Sequence, residues 1–347
     1  MNRKYSNNKV KNSGEILSYP ENFSMEEYEE SQNILTYWRT IHATTFNTFQ
    51  ATLRDKLKRL NYSNYLIAQR LKRVDSIVKK LKRFPNMKLS TMQDIAGLRA
   101  ILKNVKEVRE LENNYRNSNF RHVLKDYKDY INYPDKSGYR GIHLIYEYIN
   151  DKNPEASGLK IELQIRTKLQ HTWATAVETM GTFLNHSLKS SQGPTNWLEY
   201  FTLVSSGFAI LENSPIPLQY QFLSNKEIFQ KIVDESFKLD ISSKLRGFTV
   251  ASDHIVKSNI NSKYNLIILN LDKRVLNIKY YSAKQLEQAN VDYTNIEREI
   301  NKGANLQAVL VSTNSIESLK KAYPSYFLDT HEYLNKLNLI NYRLKKM

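Results

Sequence analysis

Leu159-Lys160-Ile161-Glu162-Leu163-Gln164-Ile165-Arg166 alternates apolar and polar residues without a break. Successive side chains of a strand point to opposite faces, so Leu159, Ile161, Leu163 and Ile165 look one way and Lys160, Glu162, Gln164 and Arg166 the other. Upstream, Asn153, Pro154, Ser157 and Gly158 mark a turn. That turn predicts an antiparallel neighbour in the strand-like segment Tyr139 to Ile149. Downstream, Leu169, Trp173, Val177, Met180 and Leu184 recur at helical spacing. Paired strands followed by an amphipathic helix point to an α+β fold.

Working outward, Leu98 to Leu102 and Arg121 to Tyr127 read as further strands, with a helix from Val105 to Tyr115. On the N-terminal side, Leu35, Trp38, Phe46, Phe49, Leu53, Leu57 and Leu60 predict a long helix over Met25 to Leu60. A second helix, about Ser63 to Arg83, is expected to bury Leu71, Val74, Val78 and Leu81 and to end at Pro85-Asn86. Residues 1–24 are polar and are expected to fray as a flexible extension. Gln192, Gly193 and Pro194 mark a break, and helical segments follow around Pro215 and Pro217. A hairpin, Tyr264 to Leu271 and Arg274 to Tyr281, then precedes a helix from Ala283 to Asn301, a strand from Gln307 to Ser312 and short closing helices. The organisation expected is an extension (1–24), a main domain (25–190), a helical connector (191–255) and a second small α/β domain (256–347).

The chain has 347 residues, 41% of them hydrophobic, enough to bury a core in about two domains. With no cysteine, disulfides, thiolate metal sites and cysteine nucleophiles are excluded. The opening residues lack a signal-peptide pattern, and no apolar run approaches the roughly 18 residues that span a bilayer. A cytoplasmic location is the expectation. Lys and Arg number 51 against 35 Asp and Glu. From Arg54 to Lys88 there are twelve cations and only Asp55 and Asp75 against them. So local a field suits an anionic partner.

Four segments carry chemistry. On the expected helix, Lys72, Ser76, Lys79 and Arg83 form one stripe, which fits a polyphosphate or else a solvated face. In Asp94-Ile95-Ala96-Gly97-Leu98-Arg99, a carboxylate just before a strand reaches a metal, or merely closes a turn. Tyr133-Pro134-Asp135-Lys136-Ser137-Gly138-Tyr139-Arg140-Gly141-Ile142-His143 feeds an aromatic, a cation and an imidazole into a strand. Tyr139 there either stacks on a base or covers the sheet. Glu162 and Gln164, on the polar face of the alternating strand, either line a cleft that holds a cation or face solvent.

Taken in order, the basic segment, the Asp-x-x-Gly-x-Arg turn, the Gly-Tyr turn ending in His, and Glu-Leu-Gln-Ile-Arg-Thr opening a Trp-Ala helix resemble the RelA/SpoT nucleotide pyrophosphokinases over about residues 40–185. The resemblance implies a nucleotidyltransferase-like mixed β-sheet flanked by helices. It implies transfer of the β,γ-pyrophosphate of ATP to the 3′-hydroxyl of GDP or GTP, making (p)ppGpp, with Mg2+ as cofactor. By position, Arg70, Lys72, Ser76, Lys79 or Lys80, and Arg99 correspond to the ATP grip. Asp94 corresponds to a magnesium ligand and Glu162 to a catalytic carboxylate that binds metal or helps deprotonate the hydroxyl. Tyr139, Lys136, His143, Gln164 and Arg166 fall on the acceptor side.

The family's Pro-Lys before Gly-Tyr is here Pro134-Asp135 with Lys136 one place later, which bears on the acceptor. No His-Asp pair of the family's hydrolase domain appears upstream of the site, where the histidines are His42 and His122, so synthesis without hydrolysis is expected. Two alternatives stand beside a guanine acceptor: a toxin-type relative that pyrophosphorylates the 3′ end of tRNA, and a decayed nucleic-acid-binding scaffold. Self-association as a homo-oligomer and an antitoxin or other regulatory partner fit the same resemblance.

Overall fold

The computed structural model describes residues 3–184, 186, 188, 191–249, 263–273, 275–312 and 330–347. Its centre is one eight-stranded mixed sheet in the order β3-β4-β5-β2-β1-β8-β6-β7. The strands are β1 (Leu66–Leu71), β2 (Ala96–Leu102), β3 (Val123–Asp129), β4 (Ile142–Glu147), β5 (Lys160–Thr167), β6 (Tyr264–Asn270), β7 (Val275–Tyr281) and β8 (Leu306–Ser312). Only β2 and β5 run parallel, with Gly97 opposite Glu162 and Arg99 opposite Gln164; the other pairs are antiparallel. A parallel pair needs a crossover, and α5 (Val105–Asn117) with the β3–β4 hairpin supplies it. The hairpin expected between β4 and β5 is present, with His143 opposite Gln164 and Ile145 opposite Glu162.

The apolar face of β5 packs into a core shared with α1 (Asn7–Ser18), α2 (Met25–Ala43), α3 (Thr45–Arg59), α4 (Val74–Arg83) and α5. A second core joins α6 (Lys168–Phe183), α7 (Thr195–Leu211), α8 (Asn225–Lys238), α9 (Ile241–Thr249) and a last helix, α11 (His331–Leu344). A third, smaller one lies between β6, β8 and α10 (Leu286–Asn301).

Four sequence expectations change. The helix expected over Ser63 to Arg83 divides into β1 and α4, because pairing of β1 with β2 along its whole length outweighs the helix propensity of Leu, Ala, Gln and Arg. The long helix expected over Met25 to Leu60 is two, α2 and α3, meeting at Thr44. Residues 7–18 do not fray: α1 is capped by Ser6 and buries Val10 and Leu17. Gly14 lets α1 lie close to Leu89, whose Cβ would stand 2.7 Å from any Cβ added there. Nor do the C-terminal strands form a detached sheet. They continue the main one, through antiparallel pairing of β8 with β1 at Arg70 and Val311. Arg274, the boundary at 255–256 and part of the closing segment (313–329) lie outside the described residues.

Candidate active site

Two carboxylates and a surrounding set of cations meet where β1, β2, β4 and β5 lie side by side. The backbone N–H of Lys72 donates to Ile95 O at 2.8 Å, carrying the β1–β2 ladder one step beyond Leu71. That step brings Lys72 beside Asp94. Lys72 Nζ and, from the next turn of α4, Lys80 Nζ donate to Asp94 Oδ2 at 2.9 and 2.8 Å. Burial pushes the Asp94 carboxyl upward, but Lys72 and Lys80 outweigh it and hold the group below its ordinary range, against an opposing contribution from Glu162. Burial lowers the Lys72 ammonium despite the attraction of Asp94. The other oxygen, Asp94 Oδ1, is buried with no hydrogen-bond partner. An orphaned carboxylate oxygen is costly unless something cationic meets it.

Glu162, on β5, is the second carboxylate. His143 Nδ1 lies 2.8 Å from its Oε1, and Gln164 Nε2 donates to its Oε2 at 2.6 Å. Burial alone would raise Glu162; His143, Gln164 and Lys72 drive it far below the usual carboxylate range. The same burial would favour a neutral His143, yet Tyr139 and Glu162 outweigh it and raise the imidazole to about 9. A protonated ring donates from both nitrogens. Its Nε2 is 2.6 Å from the Tyr139 hydroxyl.

Tyr139 stands edge-on to Tyr130 and His143, with centroids 5.5 and 5.3 Å away. The loop before it is held from behind by α7: Ser205 Oγ donates to Gly138 O at 2.5 Å, and the buried Arg140 donates to Glu212 at 2.7 Å. Glu212 also accepts from Thr167 and Gln170, the capping-box residues that open α6. Asp135, the departure noted in the sequence, accepts from the backbone N–H and hydroxyl of Ser137 at 2.9 and 2.6 Å. It closes the turn.

The remaining residues separate into two groups. Gln164 Oε1 accepts from Arg99 and Arg166 at 3.4 and 3.2 Å, so Arg99, Gln164, Arg166 and Glu162 share one face of β2 and β5, on which Arg166 and Glu162 are buried. Arg70 lies at the end of β1 opposite Gly97, and Ser76 in the first turn of α4. Two candidates point elsewhere. Lys79 is exposed and paired with Asp75 at 3.0 Å, because the break at Arg73 turns α4 so that Lys80 takes the inner position. Lys136 is exposed and borders a cavity of about 280 Å³ between the loop before Tyr139 and α6–α7, beside Ser137, Phe201 and Thr202. Arg83, the end of the expected stripe, lies over the Phe84 ring. Sequence reasoning missed Tyr130, which lies one residue past β3 and outside the strand expected over Arg121 to Tyr127. It also missed Ser205 and Glu212, for which no local signal existed.

The residues fit a divalent cation of the magnesium type. Asp94 Oδ1 is a free hard oxygen beside a second carboxylate, and Mg2+ is commonly held by one or two carboxylates completed by water and substrate phosphates. Among the described residues no group of three or more His, Cys, Asp or Glu is gathered for a metal. No helix among them is long and apolar enough to cross a membrane.

Part of this chain is similar to known proteins. Residues 69–182 match the sequence profile described as a region found in RelA / SpoT proteins. The GTP pyrophosphokinase YjbM of Bacillus subtilis is 36% identical over 112 residues, 31% of this chain and 52% of that protein. YwaC, a GTP pyrophosphokinase of the same organism, is 33% identical over 112 residues, covering 30% and 52%. The chain thus spans about half the length of the curated relatives it matches. Among solved structures, small alarmone synthetase 1 from Bacillus subtilis bound to its product pppGpp is similar at 24% identity and a TM-score of 0.43, over 50% of this chain and 89% of that one.

Proposed function

We propose, from the match of residues 69–182 to a region found in RelA / SpoT proteins, that the chain transfers the β,γ-pyrophosphate of ATP to the 3′-hydroxyl of GDP or GTP. The observation that carries the reading is Asp94: a carboxylate just before β2, gripped by Lys72 and Lys80 on one oxygen, orphaned on the other, and electrostatically coupled to Glu162 on β5.

The acceptor 3′-oxygen attacks Pβ of ATP, the Pα–O–Pβ bridge breaks, and AMP leaves with its electron pair. The hydroxyl proton is lost to solvent or a substrate oxygen. Glu162, held ionised far below its usual range, is a poor proton acceptor and a good ligand for a hard cation, which favours the metal-binding role over general base. A loose phosphoryl-type transition state asks little of a base and much of charge and position. Lys72, Lys80, Arg70 and Arg99 meet the polyphosphate without rearranging. A magnesium ion held by Asp94 and Glu162 would neutralise charge on the transferred group. On the acceptor side, the Tyr139 ring offers a stacking surface, and His143, whose two nitrogens face Glu162 and the Tyr139 hydroxyl, orients that ring. The YjbM and YwaC names support the guanine acceptor, as does the use of Asp135 inside its own turn, which removes a steric reason to prefer another recipient.

The test uses ATP labelled on its γ-phosphate, magnesium, and in turn GDP, GTP, ADP and bulk tRNA. Label in a guanine nucleotide is the expected result. Label in tRNA alone replaces the acceptor, and no transfer to any of them sinks the reading. Asp94→Ala and Glu162→Ala should each reduce transfer by at least about a thousandfold, as loss of a metal ligand or charge-stabilising group does. Full activity in either removes the site assignment.

A further inference from the structure

Far from the family-matched region in sequence, Glu297 of α10 is buried against it, with its side chain 7% exposed. Its Oε2 accepts from Arg39 Nη1, on α2, at 2.7 Å, and the Arg39 guanidinium lies 4.9 Å from the Tyr293 ring centroid. Its Oε1 accepts from the backbone N–H of Val74 at 2.9 Å. Val74 is the first residue of α4, whose N-cap, Arg73, provides no side-chain cap. Arginine has no acceptor to offer an orphan helix N–H, so the cap comes from 223 residues away. The strand end of the same connection is also held from the C-terminal side, by pairing of β8 with β1 at Arg70. The short link from Arg70 to Val74 is thus clamped at both ends by elements that lie outside residues 69–182.

We propose that Glu297 is a positioning residue for the donor-phosphate grip: it fixes the start of α4, and through it the placement of Lys72 and Lys80 on Asp94. This rests on the reading of Asp94, Lys72 and Lys80 as the ATP end of the site. An ion pair that served only to attach one layer to another would not need the second carboxylate oxygen on the helix terminus. Burying a charged pair yields little net stability against apolar packing, which leaves orientation as what it contributes.

The test is made on the full chain with two variants. In Arg39→Met/Glu297→Leu both charges go and apolar volume replaces them, which keeps the layer packed while leaving Val74 N–H uncapped. Glu297→Gln keeps the shape and one acceptor. Three quantities are read: the Kd of a non-hydrolysable ATP analogue with magnesium, the KM for ATP against kcat, and hydrogen exchange of the amides of residues 74–83. The double variant is expected to raise Kd and KM about tenfold, leave kcat within about twofold and speed exchange in α4; Glu297→Gln should do the same to about threefold. A folded double variant, or Glu297→Gln, with wild-type Kd and wild-type exchange overturns the proposal, as does a fall in kcat with KM unchanged. A wild-type chain that binds the analogue but transfers to no acceptor refutes the proposed function alone, since Kd and exchange still decide the role of Glu297. A wild-type chain that binds no analogue overturns both.

Discussion

At the level of single residues, the site is a relay of side chains that set one another's charge. Gln164 and His143 favour the ionised form of Glu162, Glu162 favours the protonated form of His143, and Lys72 and Lys80 do for Asp94 what His143 does for Glu162. The residue types were legible in the sequence, because Asp94, Tyr139, His143 and Glu162 stand in ordered motifs. Their coupling was not, since it depends on the β4–β5 register that sets His143 beside Gln164 and within reach of Glu162. The sequence motif alone assigns Tyr139 only a stacking face, and on that ground Tyr139→Phe should be tolerated. The hydrogen bond to His143 changes the expectation. Tyr139→Phe should lower kcat about tenfold through loss of a charge-assisted bond, with the ring and the acceptor KM retained. Steady-state kinetics with the preferred acceptor decides it, and an unchanged kcat would return Tyr139 to stacking alone.

At the level of elements, the strand β5 was read from its alternation and the polar face was correctly separated from the core. The segment before α4 was misread because Leu71, Val74, Val78 and Leu81 mimic a helical period, while the deciding force was pairing with β2. The error matters, as a continuous helix would put Lys79 in the stripe where the strand-to-helix break puts Lys80. The acceptor-side loop shows how a single position governs an element. Gly138 has φ +86°, and a Cβ there would stand 3.0 Å from the backbone of Thr202 and 3.0 Å from Ser205. Gly138→Ala should cost roughly 1–3 kcal/mol of strain. It should displace the loop from α7 and raise the acceptor KM at least about fivefold while ATP-analogue binding holds. Thermal unfolding and separate titrations of the two substrates measure this; an acceptor KM that does not move would show that α7 merely covers the loop.

For the whole molecule, the C-terminal segments are structural partners of the site and not an appendage. Periodicity identified β6, β7, α10 and β8 but gave no hint of where they dock, because the β8–β1 pairing joins positions as far apart as Arg70 and Val311. α1 escaped notice for a related reason: Val10 and Leu17 are sparse apolar residues in a polar stretch, and their burial depends on surfaces supplied by later residues. On the opposite layer, α11 buries Tyr333, Leu334, Leu337 and Ile340 in the core of α6–α9. Removing residues 263–347 uncovers those surfaces and the outer edge of β1. The burial lost is on the order of 6 kcal/mol or more, comparable with the whole stability of a typical domain. The truncated chain should aggregate or unfold without a cooperative transition in size-exclusion and calorimetric experiments. A monodisperse fragment with an unchanged melting temperature would show the C-terminal unit to be independent after all.

The central claim, that Asp94, Glu162 and the surrounding cations move a pyrophosphate rather than a single phosphate, is tested most directly with ATP labelled on its β-phosphate and the acceptor that the panel identifies. The expected result is label in the acceptor and one unlabelled AMP formed for each acceptor modified. Label retained in ADP would contradict it.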